Sequence, residues 1–147
     1  MAAAQFLRKH DLPSEGVYID DGSGLSAQNR VTARLLASLL CKMRGHADWE
    51  AWRKSLAVSG ESGTLKRRFK GSMESKVFAK TGFIRGVSSL SGYIEIGPEK
   101  YVAFSFIYNN VTGWTGNAKE AENQACQVLY REMSQPMAPQ AGLGSRR

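Results

Sequence analysis

Apolar positions along this chain follow two different periods, and the switch between them marks its organisation. From residue 32 to 44, Leu36, Leu39, Leu40 and Met43 repeat at helical spacing, which predicts an amphipathic helix. Thr32 is its expected N-cap, and Gly45 stands where a C-terminal cap belongs. Residues 118–133 carry a second stripe, Ala121, Ala125, Val128 and Leu129, with Asn117 as the expected cap and Glu120 at the capping-box position. Shorter helices are predicted over 3–10 and 47–54. In the latter, Trp49 and Trp52 fall on one face, a spacing that favours core packing over a binding platform.

Between the helices the period becomes that of strands. Residues 76–82, 87–96 and 101–108 read as strands, and Gly97-Pro98-Glu99-Lys100 makes a short connection that requires the last two to be antiparallel. Residues 17–20 read as a further short strand, reached through a turn at 11–16. Two segments read as loops: 21–29, whose glycines and short polar side chains favour an ordered loop, and 59–63, expected to be flexible. After Pro136 no periodicity remains, so 136–147 is expected as a flexible tail behind one structured unit over 1–135. Strands joined as hairpins and packed with helices place the chain in the α+β class, an antiparallel sheet flanked by helices.

Composition narrows the choices. At 147 residues and 42% hydrophobic the chain can bury one core, and 22% charged with 10% aromatic residues is not a disordered composition. A formal charge of +7 favours an anionic partner: nucleic acid, an acidic membrane surface, or a small substrate bearing carboxylates. The two histidines, His10 and His46, are far apart in sequence, so neither a histidine-based triad nor a metal site is expected. Cys41 and Cys126 lack any CxxC spacing and are expected as small buried side chains. Arg8, Lys9 and His10 come before any apolar stretch develops, so no export signal or membrane span is expected in the chain as written.

Two local patterns suggest other functions. Gly22-Ser23-Gly24-Leu25-Ser26-Ala27 fits the G-x-G-x-x-A fingerprint of dinucleotide binding, with Asp48 roughly twenty residues on, but the later strands form hairpins and not βαβ units. Lys66, Arg67, Arg68 and Lys70 form the densest basic cluster, with Phe69 available to stack on a base. A single such cluster is ordinarily a solvated face, and no nucleic-acid partner is expected.

Three stretches carry a stronger signal together than any does alone. They are Asp21-Gly22-Ser23-Gly24-Leu25-Ser26, the segment Ser59-Gly60 through Gly63-Thr64-Leu65, and Ala79-Lys80-Thr81-Gly82 followed by Gly86-Val87-Ser88-Ser89-Leu90-Ser91-Gly92-Tyr93. In order and spacing they resemble the serine-type D-alanyl-D-alanine carboxypeptidases and endopeptidases that are also low-molecular-mass class C penicillin-binding proteins, over roughly residues 6–130. The resemblance implies a β-lactamase/transpeptidase-like fold. It also implies a peptidoglycan stem peptide ending in D-Ala-D-Ala as substrate, binding of β-lactams, no cofactor, and a periplasmic or extracytoplasmic site of action. Without a signal peptide, the chain as written would stay in the cytoplasm.

By the same resemblance Ser26 belongs to a Ser-x-Asn element, where its hydroxyl can relay a proton to the leaving amine. Either Gln28 or Asn29 fills the asparagine role, and the sequence leaves that choice open. Lys80 offers a fixed positive charge and Thr81 a hydroxyl to a substrate carboxylate, while Gly82 lets substrate approach the backbone, with residues 76–82 as the binding edge.

The sequence departs from the family pattern in two ways. No serine is followed by lysine three residues later, so the Ser-x-x-Lys nucleophile turn is absent and the chain is expected to be a C-terminal part, inactive alone or a non-catalytic peptide-binding remnant. Phe83 stands where the family more often carries a small hydroxyl residue that helps bind carboxylate. Loss of the helical segment that bears the nucleophile is also expected to uncover an apolar face and promote association.

Overall fold

A computed structural model describes residues 2–113 and 116–135. The stripe at 32–44 folds as helix α2 (Ala33–Arg44), preceded by α1 (Ala2–Lys9) and followed by α3 (Trp49–Ser55). Strand β1 (Ala57–Val58) leads through short 3-10 turns at Gly63–Leu65 and Gly71–Met73 to β2 (Val77–Ile84), β3 (Val87–Gly97) and β4 (Lys100–Tyr108), and α4 (Gly116–Ser134) closes the described chain. Thr32 caps α2 as expected, its hydroxyl accepting from the Leu35 amide. The four strands form one antiparallel sheet in chain order, β1-β2-β3-β4.

Two tight turns make that order possible. Arg85 and Gly86, both at positive φ, turn the chain between Ile84 and Val87, the signature of a type I′ hairpin whose twist suits its strands. The expected turn at Pro98-Glu99 joins β3 to β4, with Glu99 at φ 56°, and the register shifts between Glu95 and Gly97 beside it.

The sheet divides the core into two layers. One face packs against α4 and the two 3-10 turns through Leu65, Phe69, Met73, Val77, Ala79, Leu90, Ile94, Phe104 and Cys126. The other receives α2 and α3 through Leu40, Trp49 and Tyr93. Tyr93 is wholly buried, and its hydroxyl donates to the Leu40 carbonyl at 2.8 Å while accepting from Trp52 Nε1 at 3.2 Å. Burial of each such large side chain contributes roughly 1.5–3 kcal/mol. The tryptophan pair therefore packs α3 onto the sheet, as its spacing predicted.

Several sequence expectations need correction. Residues 17–20 form no strand: Tyr18 and Arg30 exchange one pair of backbone hydrogen bonds, 2.8 and 2.7 Å, and the ladder stops there. It stops because the Asn29 side-chain oxygen takes the next amides, Asp20 at 2.7 Å and Asp21 at 3.3 Å. Residues 59–63 are not a free loop. Ser59 is fully buried, its hydroxyl donating to the Met73 carbonyl and accepting from the Val77 amide, which ties β1 to the start of β2. Cys41 is exposed, whereas Cys126 is buried as expected. Asn117 lies inside α4 and is not its cap. Phe69 is buried in the core and unavailable for base stacking. The tail expected at 136–147 lies outside the described residues.

Candidate functional site

The edge of β2 changes character half-way along. Its first half is covered, Phe78 pairing with Val58 and Ala79 with Ala57, but β1 has only two residues and leaves the strand open beyond Ala79. Strand hydrogen bonds alternate sides. The Lys76 carbonyl accepts from Glu95 on the β3 side, and the Val77 carbonyl accepts from Ser59 on the β1 side. With an unbroken register through Ile84, the backbone groups of Thr81 and Phe83 therefore face the open edge. The Lys80 ammonium curls along the same edge and donates to the Thr81 carbonyl.

Side chains alternate between faces as the backbone runs along this edge. Lys80 and Gly82 look toward α2 and α3, opposite Ser91 and Ser89 of β3. There they help line a cavity of about 530 Å³ with Gly24, Leu36, Leu39, Leu40, Trp52, Ser55 and Leu56. A side chain at Gly82 would meet the Ser89 hydroxyl at 2.5 Å, so glycine keeps the wall flat. Leu36 and Leu39, both half-buried on α2, give this cavity an apolar wall, and Leu39 also packs against the cluster of Leu7, Leu12 and Leu35.

The loop over 20–29 forms the rim of this cavity through Gly24 and is held by its own side chains. Asn29 spends its amide on the loop, accepting from Asp20 and Asp21 and donating to the Asp21 carbonyl. Asp21 accepts from the hydroxyl and the amide of Ser23 and from Asn29, and these bonds, the Ser23 hydroxyl first, hold its pKa below the usual value. Ser26 donates to Asp20 Oδ2 at 2.7 Å and accepts from the Gln28 amide at 3.1 Å. Of the residues read from sequence, the structure thus brings Lys80, Thr81 and Gly82 together on one strand. It gives Ser26 and Asn29 bonds inside their own loop, and neither lines the cavity with Lys80. The Gln28 side chain makes no hydrogen bond among the described residues, and its backbone amide donates to Ser26.

Thr81 points to the other face, and there sequence reading missed a site. A second cavity, about 240 Å³, is lined by Thr64, Arg68, Thr81, Phe83, Ser88, Lys119 and Glu122 among others. Thr81 donates its hydroxyl to Thr64 at 3.0 Å. Glu122 forms the floor, almost wholly buried, accepting from Ser88 at 2.8 Å and from Arg68 at 2.9 Å. Arg68 also donates to Asn123 and to the Lys119 carbonyl, so the residue read as part of a solvated basic face is a strut between α4 and the sheet. The segment containing Thr64 was legible as a motif, but nothing local shows its hydroxyl meeting that of Thr81. Among the described residues no group of three or more histidine, cysteine or carboxylate side chains could hold a metal ion, and no helix is long and apolar enough to cross a membrane.

Comparison with known proteins decides the family, because the model of the D-Ala-D-Ala carboxypeptidase 3 (S13) family matches residues 1–132. The chain belongs to that S13 family. It is 43% identical over 132 residues to the D-alanyl-D-alanine carboxypeptidase of Actinomadura sp. (strain R39), covering 85% of this chain and 24% of that protein. Carboxypeptidase DacB of Mycolicibacterium smegmatis is 32% identical over 118 residues, 75% of this chain and 25% of that one. The S13 fold is shared with penicillin-binding protein 4 of Haemophilus influenzae, solved in complex with a β-lactam. That structure aligns with a TM-score of 0.75 at 26% identity over 92% of this chain and 33% of that one. The chain spans about a quarter of the length of the curated S13 relatives it matches. The β-lactamase/transpeptidase-like architecture expected from the motifs is therefore the observed one.

Proposed function

We propose that this chain is the substrate-gripping part of a serine-type D-Ala-D-Ala carboxypeptidase acting on peptidoglycan outside the cytoplasm. The observation that carries the reading is the open half-edge of β2, where Thr81 and Phe83 offer backbone groups beside the Lys80 ammonium. A stem peptide ending in D-Ala-D-Ala would add a strand there and direct its carboxylate to Lys80 and Thr81, and a β-lactam would follow the same path. Gly82 allows the close approach.

Hydrolysis through an acyl-enzyme needs a serine oxygen to attack the scissile carbonyl, a base to take its proton, and donors for the oxyanion. No serine of this sequence has lysine three residues on, so a Ser-x-x-Lys turn has to be supplied from beyond these residues. The cavity walled by Leu36, Leu39, Leu40, Trp52 and Leu56, with Lys80 at its margin, suits the apolar face of a helix carrying that turn. The relay role read for Ser26 requires its hydroxyl to exchange the Asp20 carboxylate for the leaving amine. The absence of a Ser-x-x-Lys turn also favours a second reading, a remnant that binds stem peptides without cleaving them.

Intact-mass analysis after incubation with a fluorescent penicillin tests the proposal. The chain alone should gain no covalent adduct, whereas a protein that includes an upstream Ser-x-x-Lys segment should be acylated, and Lys80→Met should slow that acylation by roughly a hundredfold. An adduct on the chain alone, abolished by Ser26→Ala, would overturn the assignment of the nucleophile to another segment. A longer protein that never acylates would leave the peptide-binding remnant.

A further inference from the structure

We propose that the outer edge of β4 pairs with the same edge of a second copy of this chain, joining two four-stranded sheets into one continuous antiparallel sheet. The inference goes beyond the peptide-binding reading of β2, because it uses the opposite edge of the sheet and leaves both β2 edges at the outer ends of the joined one.

Register decides which backbone groups the β4 edge offers. The Glu95 amide donates to the Lys76 carbonyl, so odd-numbered residues of β3 bond to β2 and even-numbered ones to β4. Gly92 stands opposite Phe104 and Leu90 opposite Phe106, so β4 spends its even-numbered residues on β3. Tyr101, Ala103, Ser105 and Ile107 therefore turn their N–H and C=O groups outward, and no strand pairs with them among the described residues. Such a row is a template for another strand, and sheets ordinarily blunt it with proline, a bulge, an inward charge or a short strand. Strand β4 has none of these along its centre. Its nine residues contain no proline and carry charge only at Lys100, and it pairs with β3 without interruption from Tyr101 to Tyr108.

A second copy fits this edge because the pattern is self-complementary. With a two-fold axis at Phe104, Tyr101 faces Ile107 of the other copy and Ala103 faces Ser105, so every outward residue enters a hydrogen-bonded pair. Moving the axis to Ala103 or Ser105 leaves Ile107 or Tyr101 without a strand partner. The same register sets Val102 against Phe106 of the other copy, both half-buried because α4 lies mainly over β3. It also brings the Lys100 ammonium beside the Tyr108 ring. The charge of +7 opposes self-association, but this pairing keeps each Lys100 away from its counterpart.

Sedimentation velocity and amide-resolved NMR on the 147-residue chain test the proposal. The dimer fraction should rise with concentration and also with salt, which screens the repulsion between the two copies. Hydrogen exchange at the amides of Tyr101, Ala103, Ser105 and Ile107 should slow roughly tenfold once about nine-tenths of the chain is dimeric. Ser105→Pro removes an outward N–H that β3 does not use and should weaken dimerisation roughly tenfold or more. In a Cys41→Ser background, Lys100→Cys mixed with Tyr108→Cys should give a disulfide-linked dimer under mild oxidation, while either variant alone gives little. A chain that stays monomeric at submillimolar concentration, or a dimer whose four amides exchange as in the monomer, overturns the proposal. So does cross-linking as efficient in each variant alone as in the mixture. Protection of the four amides in a monomer also overturns it and gives the edge to a strand of the same polypeptide.

Discussion

Replacing Glu122 tests whether the strut beneath the second cavity fixes α4 to the sheet. The carboxylate is 1% exposed, accepts from Ser88 at 2.8 Å, and pairs with Arg68 at 2.9 Å, whose side chain is 11% exposed. Glu122→Leu removes the charge and leaves a guanidinium that has no counter-ion and little water. Breaking a buried pair from one side costs about 3–5 kcal/mol. The Ser88 hydroxyl, 3% exposed, also loses its acceptor, a loss of about 1 kcal/mol within that range. Glu122→Gln keeps the acceptor for Ser88 and loses only the charge, so it should fall about midway. Arg68→Leu together with Glu122→Leu should cost less than Glu122→Leu alone, because the pair leaves as a unit.

Urea unfolding followed by tryptophan fluorescence measures these differences at constant m, since Trp49 is packed on the sheet. A loss below about 1.5 kcal/mol for Glu122→Leu, or a double variant as unstable as the single one, would refute the reasoning. Either result would mean that Arg68 reaches solvent or another partner when Glu122 is gone.

Three further outcomes each have their own measurement. Gly92→Ala should prevent folding or strongly destabilise the chain, because its Cβ would lie 2.6 Å from Ala79 Cα and closer still to the Phe78 carbonyl; a loss of the folded NMR spectrum checks it. Stability should fall as pH rises above about 9: burial pushes Cys126 from 9.0 up to about 12 and Tyr93 from 10.0 up to about 12. The native state then keeps protons that the unfolded chain releases, and urea midpoints between pH 9 and 12 should drop, less so in Tyr93→Phe. Asn29→Ala should release the amides of Asp20 and Asp21 and speed hydrogen exchange across the loop without moving the global midpoint by more than about 1 kcal/mol.

The sequence was most legible where one segment carries the whole signal. The α2 stripe, the cap at Thr32, the three long strands and the hairpin at Pro98-Glu99 all follow from local period and turn chemistry, and the structure has each of them. The site was half legible for the same reason: Lys80, Thr81 and Gly82 sit on one strand, so their motif and their geometry coincide. What the local pattern missed depended on side chains of other segments. Residues 17–20 have the composition of a strand, but Asn29 captures the amides that a partner strand would need. Arg68 and Phe69 look like a solvated basic-aromatic cluster until α4 arrives with Glu122, 54 residues later, and the core closes over the ring. In the Ser26 loop the spacing gives the motif but not the partners, Asp20 for the Ser26 hydroxyl and the Asp20 and Asp21 amides for Asn29.

The placement of functions around β2 has a physical logic. A strand has two faces and two edges, and here one edge is committed to β3 for the full length of the strand. The other is blocked by β1 only as far as Ala79, so the same residue run that pairs structurally offers free backbone groups from Thr81 onward. Alternation then sends the Lys80 side chain to the apolar cavity and that of Phe83 to the charged one, while Thr81 and Gly82 border both. A peptide on the free edge would lie between the two cavities, with a segment carrying a nucleophile entering from the apolar one. In the register of β1, pairing past Ala79 would set Leu56 opposite Lys80 and Ser55 opposite Thr81, which would close the binding edge and unwind the end of α3 that walls the first cavity.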